Sequence, residues 1–213
     1  MSEMEQAPTR AAVLALREER KVVSEAYEFL DEKRLLLAAE LLRQLERYAR
    51  LQGELAAQSA RARERLRAAV NRHGLQGLSV YPGRRLDGLR LQTRRHNFMG
   101  VSLAENHLEP PSTGPGTLTP ACNPSREAET CRSAFEQLLL QSATLAEVSG
   151  NIYRLLLEYR LTERRARALE NVLLPELEQA LATMTTRLEE MDFEDVIRAH
   201  RYGMRSRALH QGP

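Results

Sequence analysis

Hydrophobic side chains recur every three or four residues through two long stretches of the chain, roughly Val13 to Val70 and Phe135 to Met191. This spacing places the apolar side chains along one stripe of an α-helix, and over many turns it is typical of a coiled-coil seam. The two stretches match in length and are separated by a segment rich in glycine and proline. The pattern therefore predicts an all-α fold built on a long antiparallel two-helix coiled coil.

The seam positions follow from the same spacing. The predicted seam of the first helix consists of Val13, Leu16, Val23, Tyr27, Leu30, Leu37, Leu41, Leu45, Tyr48, Leu51, Leu55, Ala62, Leu66 and Ala69. The predicted seam of the second helix consists of Phe135, Leu138, Leu145, Val148, Ile152, Leu155, Tyr159, Ala166, Leu169, Val172, Leu177, Leu181, Met184, Leu188 and Met191.

Local signals predict the ends of both helices. Thr9 is the expected N-cap of the first helix, and Gly74 and Gly77 lie beyond its far end, so we expect this helix over residues 10–72 after a lead of residues 1–9. Asn123 or Ser125 is the expected cap of a second helix over residues 125–200. Residues 201–213 form a basic tail that we expect to fray.

Two residues inside the helices are poor helix formers. Gly53 costs about 1 kcal/mol relative to alanine, so it marks either a local soft point or a place where another backbone comes close, and we expect the close packing. Pro175 interrupts a pattern that continues on both sides, so a kink fits better than a stop. We therefore expect the second helix to bend at Pro175.

The middle segment, residues 73–124, changes period. Leu89, Leu91 and Thr93 alternate with polar residues, and Val101 and Leu103 follow shortly after. This predicts a small β-hairpin, amphipathic on its first strand, with residues 95–97 turning the chain. Such a hairpin is marginal alone and must pack against the helices or a partner protein. The proline- and glycine-rich stretch after it predicts a flexible loop.

Composition narrows the class of protein. The 31 basic and 29 acidic residues nearly cancel and intermix, which is typical of solvated helix faces and gives no indication of nucleic-acid binding. The start of the chain has no secretory signal, and no long charge-free apolar run occurs, so we expect a cytoplasmic protein that does not insert into the membrane itself. Cys122 and Cys131 lack metal-ligand spacing and are expected to be free thiols.

No pattern of catalytic residues emerges. The chain has no glycine-rich phosphate loop followed by Lys and Ser or Thr, no His-Glu-x-x-His pair and no Gly-x-Ser-x-Gly elbow. Each histidine is best explained as a surface or turn residue. We therefore expect no catalytic residue, no cofactor and no metal site.

Three segments are distinctive: residues 162–175 (TERRARALENVLLP), residues 97–103 (NFMGVSL), and residues 8–10 together with FLDEKR at residues 29–34. Together they resemble the D subunit of V-type and A-type rotary ATPases, the central rotor shaft. Residues 162–175, TERRARALENVLLP, are similar to a family run that also ends in a proline, which accounts for Pro175. Residues 97–103, NFMGVSL, resemble the end of the family's hairpin. The start, residues 8–10, with FLDEKR at residues 29–34, is similar to the family's opening. Ala104 departs from the pattern because proline is common there.

The resemblance implies a non-catalytic shaft that couples ATP hydrolysis or synthesis in a catalytic hexamer to ion translocation. It implies partners among the catalytic and non-catalytic subunits of the hexamer, the small F subunit of the central stalk and a membrane-rotor adaptor subunit. The shaft would then be peripheral to the membrane as part of the complex. Besides the shaft kink at Pro175, the candidate partner contacts are Arg10, Arg17, Leu89, Leu91, Val101, Leu103, Arg164, Arg165, Glu170 and Leu188.

Two alternatives belong to other classes of protein. A free-standing coiled-coil adaptor or chaperone-like scaffold uses the same helices but has no need of a partner-dependent hairpin. An RNA-binding helical arm requires a one-sided basic stripe with aromatic residues, whereas the arginines here are balanced by nearby glutamates.

Overall fold

The computed structural model describes residues 9–81, 90–109 and 123–209. Its elements, in chain order, are α1 (Arg10–Ser79), β1 (Arg90–Phe98), β2 (Val101–Glu109), α2 (Arg126–Ala168), a π-helical turn (Leu169–Leu173) and α3 (Leu174–Leu209). The predicted fold class is confirmed, with two long helices and one small antiparallel hairpin. The first long helix is α1, and the second consists of α2, the π-helical turn and α3 in succession. The predicted loop after the hairpin and Leu89 lie outside the described residues.

Internal contacts divide the chain into two compact units. The first unit contains the described residues of Met1–Arg34 and Leu161–Pro213, and the second contains those of Leu35–Arg160. Each unit combines a part of α1 with a part of the second long helix.

Ion pairs reveal the direction of the helices in the first unit. Arg10 lies 3.0 Å from Asp192, and Arg20 lies 3.5 Å from Glu178. As the residue number rises on α1, the number of its partner on α3 falls, which is the signature of an antiparallel pair. These contacts are exposed, so they report the register more than they contribute to stability.

The helices of the second unit run antiparallel by the same criterion. Gln58 donates a hydrogen bond to Gln137 at 2.7 Å, and Arg72 lies 3.4 Å from Glu127 farther along α1. This glutamine pair lies on the exposed side of the helices, so it reports their register rather than the packing of the seam.

The predicted seam is largely the buried surface of the helices. Leu37, Val148 and Leu155 are fully buried, and most other seam residues are buried or half-buried. Two helices cover only a narrow stripe of each other, so larger side chains at the rim of the seam keep much of their exposure. These rim residues are Leu45, Leu66, Phe135 and Met191.

Capping residues begin both long helices. The Thr9 hydroxyl accepts a hydrogen bond from the Ala12 N–H at 3.2 Å, so the predicted cap is present. The Ser125 hydroxyl accepts one from the Ala128 N–H at 3.2 Å, which makes Ser125 the cap of α2. Gly74 interrupts α1 with φ +68°, a conformation that glycine tolerates, and helical structure then resumes as far as Ser79.

The hairpin turns at Met99 and Gly100, which have φ of +49° and +88°. Two consecutive residues with positive φ form the tight turn whose twist matches that of paired strands. The prediction of a turn at residues 95–97 is therefore wrong, because these residues lie within β1 and pair with residues 102–104 of β2. Phe98 pairs with Val101 directly beside the turn.

A π-helical turn precedes Pro175. The Leu174 N–H bonds to the carbonyl of Leu169, five residues back, instead of the usual four. Pro175 has no N–H to continue either pattern, so the wide turn ends where the next donor is missing. The helix continues through α3, so Pro175 does not stop it, and a bend of the helix at this point stays a prediction.

The extra residue of the π turn changes which side chains reach the seam. Val172, predicted as a seam residue from α-helical spacing, is 53% exposed, whereas Leu173 is half-buried. Leu177 is buried, four residues beyond Leu173. The seam assignment of Val172 is wrong because the π turn advances the apolar stripe by one residue.

Candidate functional site

The second unit holds the hairpin against both of its helices through an apolar cluster. Val101 and Leu103 of β2 are buried with Leu37 of α1 and Leu155 of α2. Four partly buried side chains surround them: Leu41, Phe98, Met99 and Tyr159. The turn end of the hairpin is thus anchored to the helix pair by hydrophobic burial.

The strand that packs on the helices is the second one, whereas the sequence pattern predicts an amphipathic first strand. Side chains from Arg90 to Asn97 of β1 are exposed, and Leu91 retains 55% of its exposure. The register pairs Leu103 with His96 and Leu91 with Leu108, which places Leu91 and Leu103 on opposite faces of the hairpin. The prediction of an amphipathic first strand, with Leu91 on its packed side, is therefore wrong.

Asn151 of α2 bonds the outer edge of β2 in the way a neighbouring strand would. Its side-chain oxygen accepts a hydrogen bond from the Ala104 N–H at 2.9 Å, and its side-chain nitrogen donates one to the Ala104 carbonyl at 2.7 Å. Asn151 is only 3% exposed. One amide side chain thus satisfies both backbone groups of a buried strand residue.

Glu147, one helical turn before Asn151, continues this attachment. Its Oε2 accepts a hydrogen bond from the Asn106 N–H at 2.7 Å, and its Oε1 lies 3.5 Å from the Arg47 guanidinium. Glu147 is 6% exposed, and a carboxylate so buried requires such partners. Arg154 donates to the Asn151 side-chain oxygen at 2.9 Å. We call Glu147, Asn151 and Arg154 the α2 clamp.

The α2 clamp was not predicted from the sequence. Glu147 and Asn151 are four residues apart, so they lie on one side of α2, and each directly precedes a seam residue, Val148 and Ile152. Two polar residues beside the seam at this spacing are the only feature of the sequence from which the α2 clamp could have been predicted. Their partners are backbone groups of β2, however, which no side-chain pattern identifies.

On α1, Glu40 is held by charged neighbours. The Arg43 guanidinium donates to both of its carboxylate oxygens at 2.7 and 2.8 Å, and Gln44 donates to one of them. The hydrogen bonds from Arg43 lower the pKa of Glu40 most, and His96 of the hairpin adds to this effect. The lowered pKa therefore favours the ionised form of Glu40 beside the hairpin.

The predicted partner contacts fall into both units. Arg10 is engaged with Asp192, while Arg17, Arg164 and Arg165 are exposed in the first unit and Leu188 is half-buried there. All four predicted arginines are exposed, and Arg10 is the one that also forms an ion pair within the chain.

Glu170 and the buried hairpin residues have intramolecular contacts. Glu170 is exposed in the first unit and lies beside the Tyr27 hydroxyl, and desolvation together with this carboxylate raises the pKa of Tyr27. In the second unit, Leu91 is exposed, whereas Val101 and Leu103 are covered by the helices of their own chain. Their assignment as partner contacts is not supported by this packing.

Residues 9–81, 90–109 and 123–209 contain neither a candidate metal site nor a candidate membrane-spanning helix. Nowhere in these ranges do three His, Cys, Asp or Glu side chains converge as a metal site would require. No helix in the same ranges is long and apolar enough to cross a bilayer. Cys131 is a buried free thiol whose pKa is raised by burial, and Cys122 lies outside the described residues.

Comparison with known proteins covers nearly the whole chain. The family of the D subunit of ATP synthase matches residues 12–203. The D subunit of the V-type ATP synthase of Thermotoga neapolitana is 26% identical over 93% of this chain and 97% of its own length. The D subunit of the A-type ATP synthase of Thermococcus kodakarensis is 29% identical over 91% of each chain, and that of Methanosarcina mazei is 28% identical over 97% of this chain and all of its own.

Proposed function

Because the chain belongs to the family of ATP synthase D subunits, we propose that it is the central-stalk rotor subunit of a V/A-type ATPase. In this role it couples ATP hydrolysis or synthesis in the catalytic hexamer to ion translocation across the membrane, and it performs no chemistry itself. The observation that carries the proposal is the extent of the family match, which includes both long helices, the hairpin and the π turn.

The packing within each unit supports a mechanical role. In each unit α1 packs against a part of the second long helix, and two helices packed along a seam resist twisting better than one helix does. In the second unit the hairpin is fixed to both helices by the apolar cluster and by the α2 clamp, so it moves with them. A force applied to the hairpin is therefore transmitted to the helices.

An asymmetric shaft is sufficient to order the catalytic sites. Three equivalent sites in a ring meet different faces of the shaft, so each rotor position favours one nucleotide state at each site. The coupling is reciprocal, because a change of nucleotide state also favours one rotor position. The partners that this role requires are the catalytic and non-catalytic subunits of the hexamer, the small F subunit and a membrane-rotor adaptor.

A reversible cross-link tests rotation directly. A cysteine at Arg17, which is exposed on α1, should form a disulfide with a cysteine on the inner wall of the ring when their Cα atoms approach within about 4.4 to 6.8 Å. Leu188 on α3 offers a second position. Cys131 and Cys122 are replaced by alanine in both variants. Oxidation should halt multi-turnover ATP hydrolysis by the assembled complex, and reduction should restore it.

The matched control carries Arg17→Cys opposite a ring without the wall cysteine, and oxidation should leave its hydrolysis unchanged. The purified chain alone should hydrolyse no ATP above background. If a fully cross-linked complex hydrolysed ATP at the rate of the unlinked one, the rotor assignment would be wrong. The static coiled-coil adaptor would then be the better interpretation.

A further inference from the structure

The two edges of the hairpin differ in what covers them. The outer edge of β2 is bonded to Asn151 and Glu147 of the α2 clamp. β1 carries no comparable cover among the described residues, because its side chains from Arg90 to Asn97 are exposed. The hairpin is therefore held with one edge against α2 and the other toward solvent.

The register identifies the backbone groups at the open edge. Both backbone groups of Ala104 point away from β1, since they bond to Asn151, so Ala104 and its cross-strand partner Arg95 form a non-hydrogen-bonded pair. The N–H and C=O of Arg95 consequently point away from β2. Strand alternation gives the same outward direction to Leu91, Thr93 and Asn97. Four residues of β1 thus present a regular row of donors and acceptors.

The open edge is also long and positively charged. β1 has nine residues, whereas strands of about five or six are usual. Its charged residues are Arg90, Arg94 and Arg95, and the strand contains no aspartate or glutamate. Arg90 and Arg94 lie opposite Glu109 and Glu105 of β2, whereas Arg95 lies opposite Ala104 and has no acidic residue across from it. A partner strand beside it is therefore favoured when it carries acidic side chains.

We propose that the outer edge of β1 pairs with an extended acidic segment of another protein of the complex, one that turns together with the shaft. This inference rests on the proposed function. Backbone hydrogen bonds supply the affinity of such strand addition, and the arginines select the charge of the partner. A stationary partner does not fit, because every revolution would have to break the same row of hydrogen bonds.

Amide hydrogen exchange of the unaltered chain tests the pairing. Exchange at Leu91, Thr93, Arg95 and Asn97 is compared between the free chain and the chain assembled into the ATPase. We expect these four amides to exchange at least about tenfold more slowly in the assembly, as backbone hydrogen bonds require. Ala104, already bonded to Asn151, serves as the internal reference and should change little.

A proline substitution tests the same row chemically. Thr93→Pro removes an N–H that points outward and leaves the ladder to β2 intact, a position at which edge strands tolerate proline. Thr93→Val keeps the N–H and is the matched control, because both variants lose the Thr93 hydroxyl. Thr93→Pro should weaken assembly by about fivefold to tenfold relative to Thr93→Val, the effect of one lost hydrogen bond.

Charge is tested separately. The double variant Arg94→Gln and Arg95→Gln should slow association and reduce its dependence on salt. If this variant assembles like the unaltered chain, the acidic partner is wrong. If the variant instead pairs with its own copies, the arginines serve to prevent self-association, and the inference is overturned.

The remaining outcomes separate this inference from the proposed function. Unchanged exchange at the four amides in an assembly that couples normally overturns strand addition and leaves the rotor role intact. Equal assembly by Thr93→Pro and Thr93→Val has the same meaning. Failure of the unaltered chain to join an ATPase at all contradicts the proposed function and this inference together.

Discussion

Replacing Asn151 by leucine should detach the hairpin while the helix pair remains folded. Leucine has nearly the shape of asparagine, so the substitution leaves the Ala104 N–H and C=O without their partners and removes an acceptor from Arg154. A buried backbone group without a partner costs about 1 to 3 kcal/mol. Two such groups give about 2 to 6 kcal/mol, the upper end applying if no water enters.

This cost should appear as local opening of the hairpin. A loss of about 2 kcal/mol corresponds to about thirtyfold faster exchange of the Ala104 amide, measured by NMR, when exchange proceeds through that opening. Far-ultraviolet circular dichroism should remain strongly helical, since the seam of α1 and α2 is untouched. Ser149→Leu is the matched control, because Ser149 is exposed on the same helix and places the same apolar side chain in solvent.

Two results would refute this reasoning. Exchange of the Ala104 amide within about twofold of the unaltered chain would mean that Asn151 contributes nothing to docking. An equal acceleration in Ser149→Leu would mean that leucine perturbs α2 generally. If hairpin opening is confirmed, activity of the assembled ATPase then measures how much coupling depends on a docked hairpin.

Three further predictions concern single residues. Gly74→Ala should destabilise the chain by about 1 kcal/mol because φ is +68° there. Gly53→Ala should stabilise it by about the same amount, because Gly53 lies in regular helix and nothing is within 4 Å of the added methyl group. Urea unfolding measures both changes. Because the pKa of Glu40 is lowered from its ordinary value of 4.5, its carboxylate stabilises the fold above pH 4.5, and this stability is lost as the pH falls through the lower folded-state pKa. Glu40→Gln should therefore flatten the fall of stability at acid pH, and an unchanged fall would mean that other carboxylates cause it. Pro175→Ala should raise the melting temperature yet impair coupling, and unchanged ATP hydrolysis and ion pumping would show that the proline has no mechanical role.

The helices were predictable because their signals are local and repeated. A seam such as that of Leu37, Val148 and Leu155 follows from residue spacing, and the Thr9 cap follows from the chemistry of a single residue. Gly74 was expected beyond the end of the first helix, whereas it interrupts α1, which then resumes as far as Ser79. Gly53 is another exception, since the expected close approach of another backbone is absent from the space around it. That glycine therefore has no packing explanation in the described part of the chain.

The hairpin was predictable as an element but not in its register. Its turn depends on positive φ at Met99 and Gly100, and alternation at Leu91 alone gives no means to choose this turn over residues 95–97. The bonds from Asn151 to β2 join residues far apart in sequence and involve backbone groups that every residue carries. Such contacts depend on the fold, so they lie beyond a reading of residue patterns.

The wide turn at Leu169–Leu173 has a consequence for how the second long helix is indexed. One added residue rotates every later side chain by about 100° around the helix axis relative to an uninterrupted α-helix. If α-helical spacing is extended from Arg164 across this turn, it therefore assigns Leu177 and the residues after it to the wrong face of the helix. Deletion of a single residue within the turn would keep the composition nearly unchanged and yet redirect the whole apolar stripe of α3. In this helix the number of residues, as much as their identity, determines which face packs against α1.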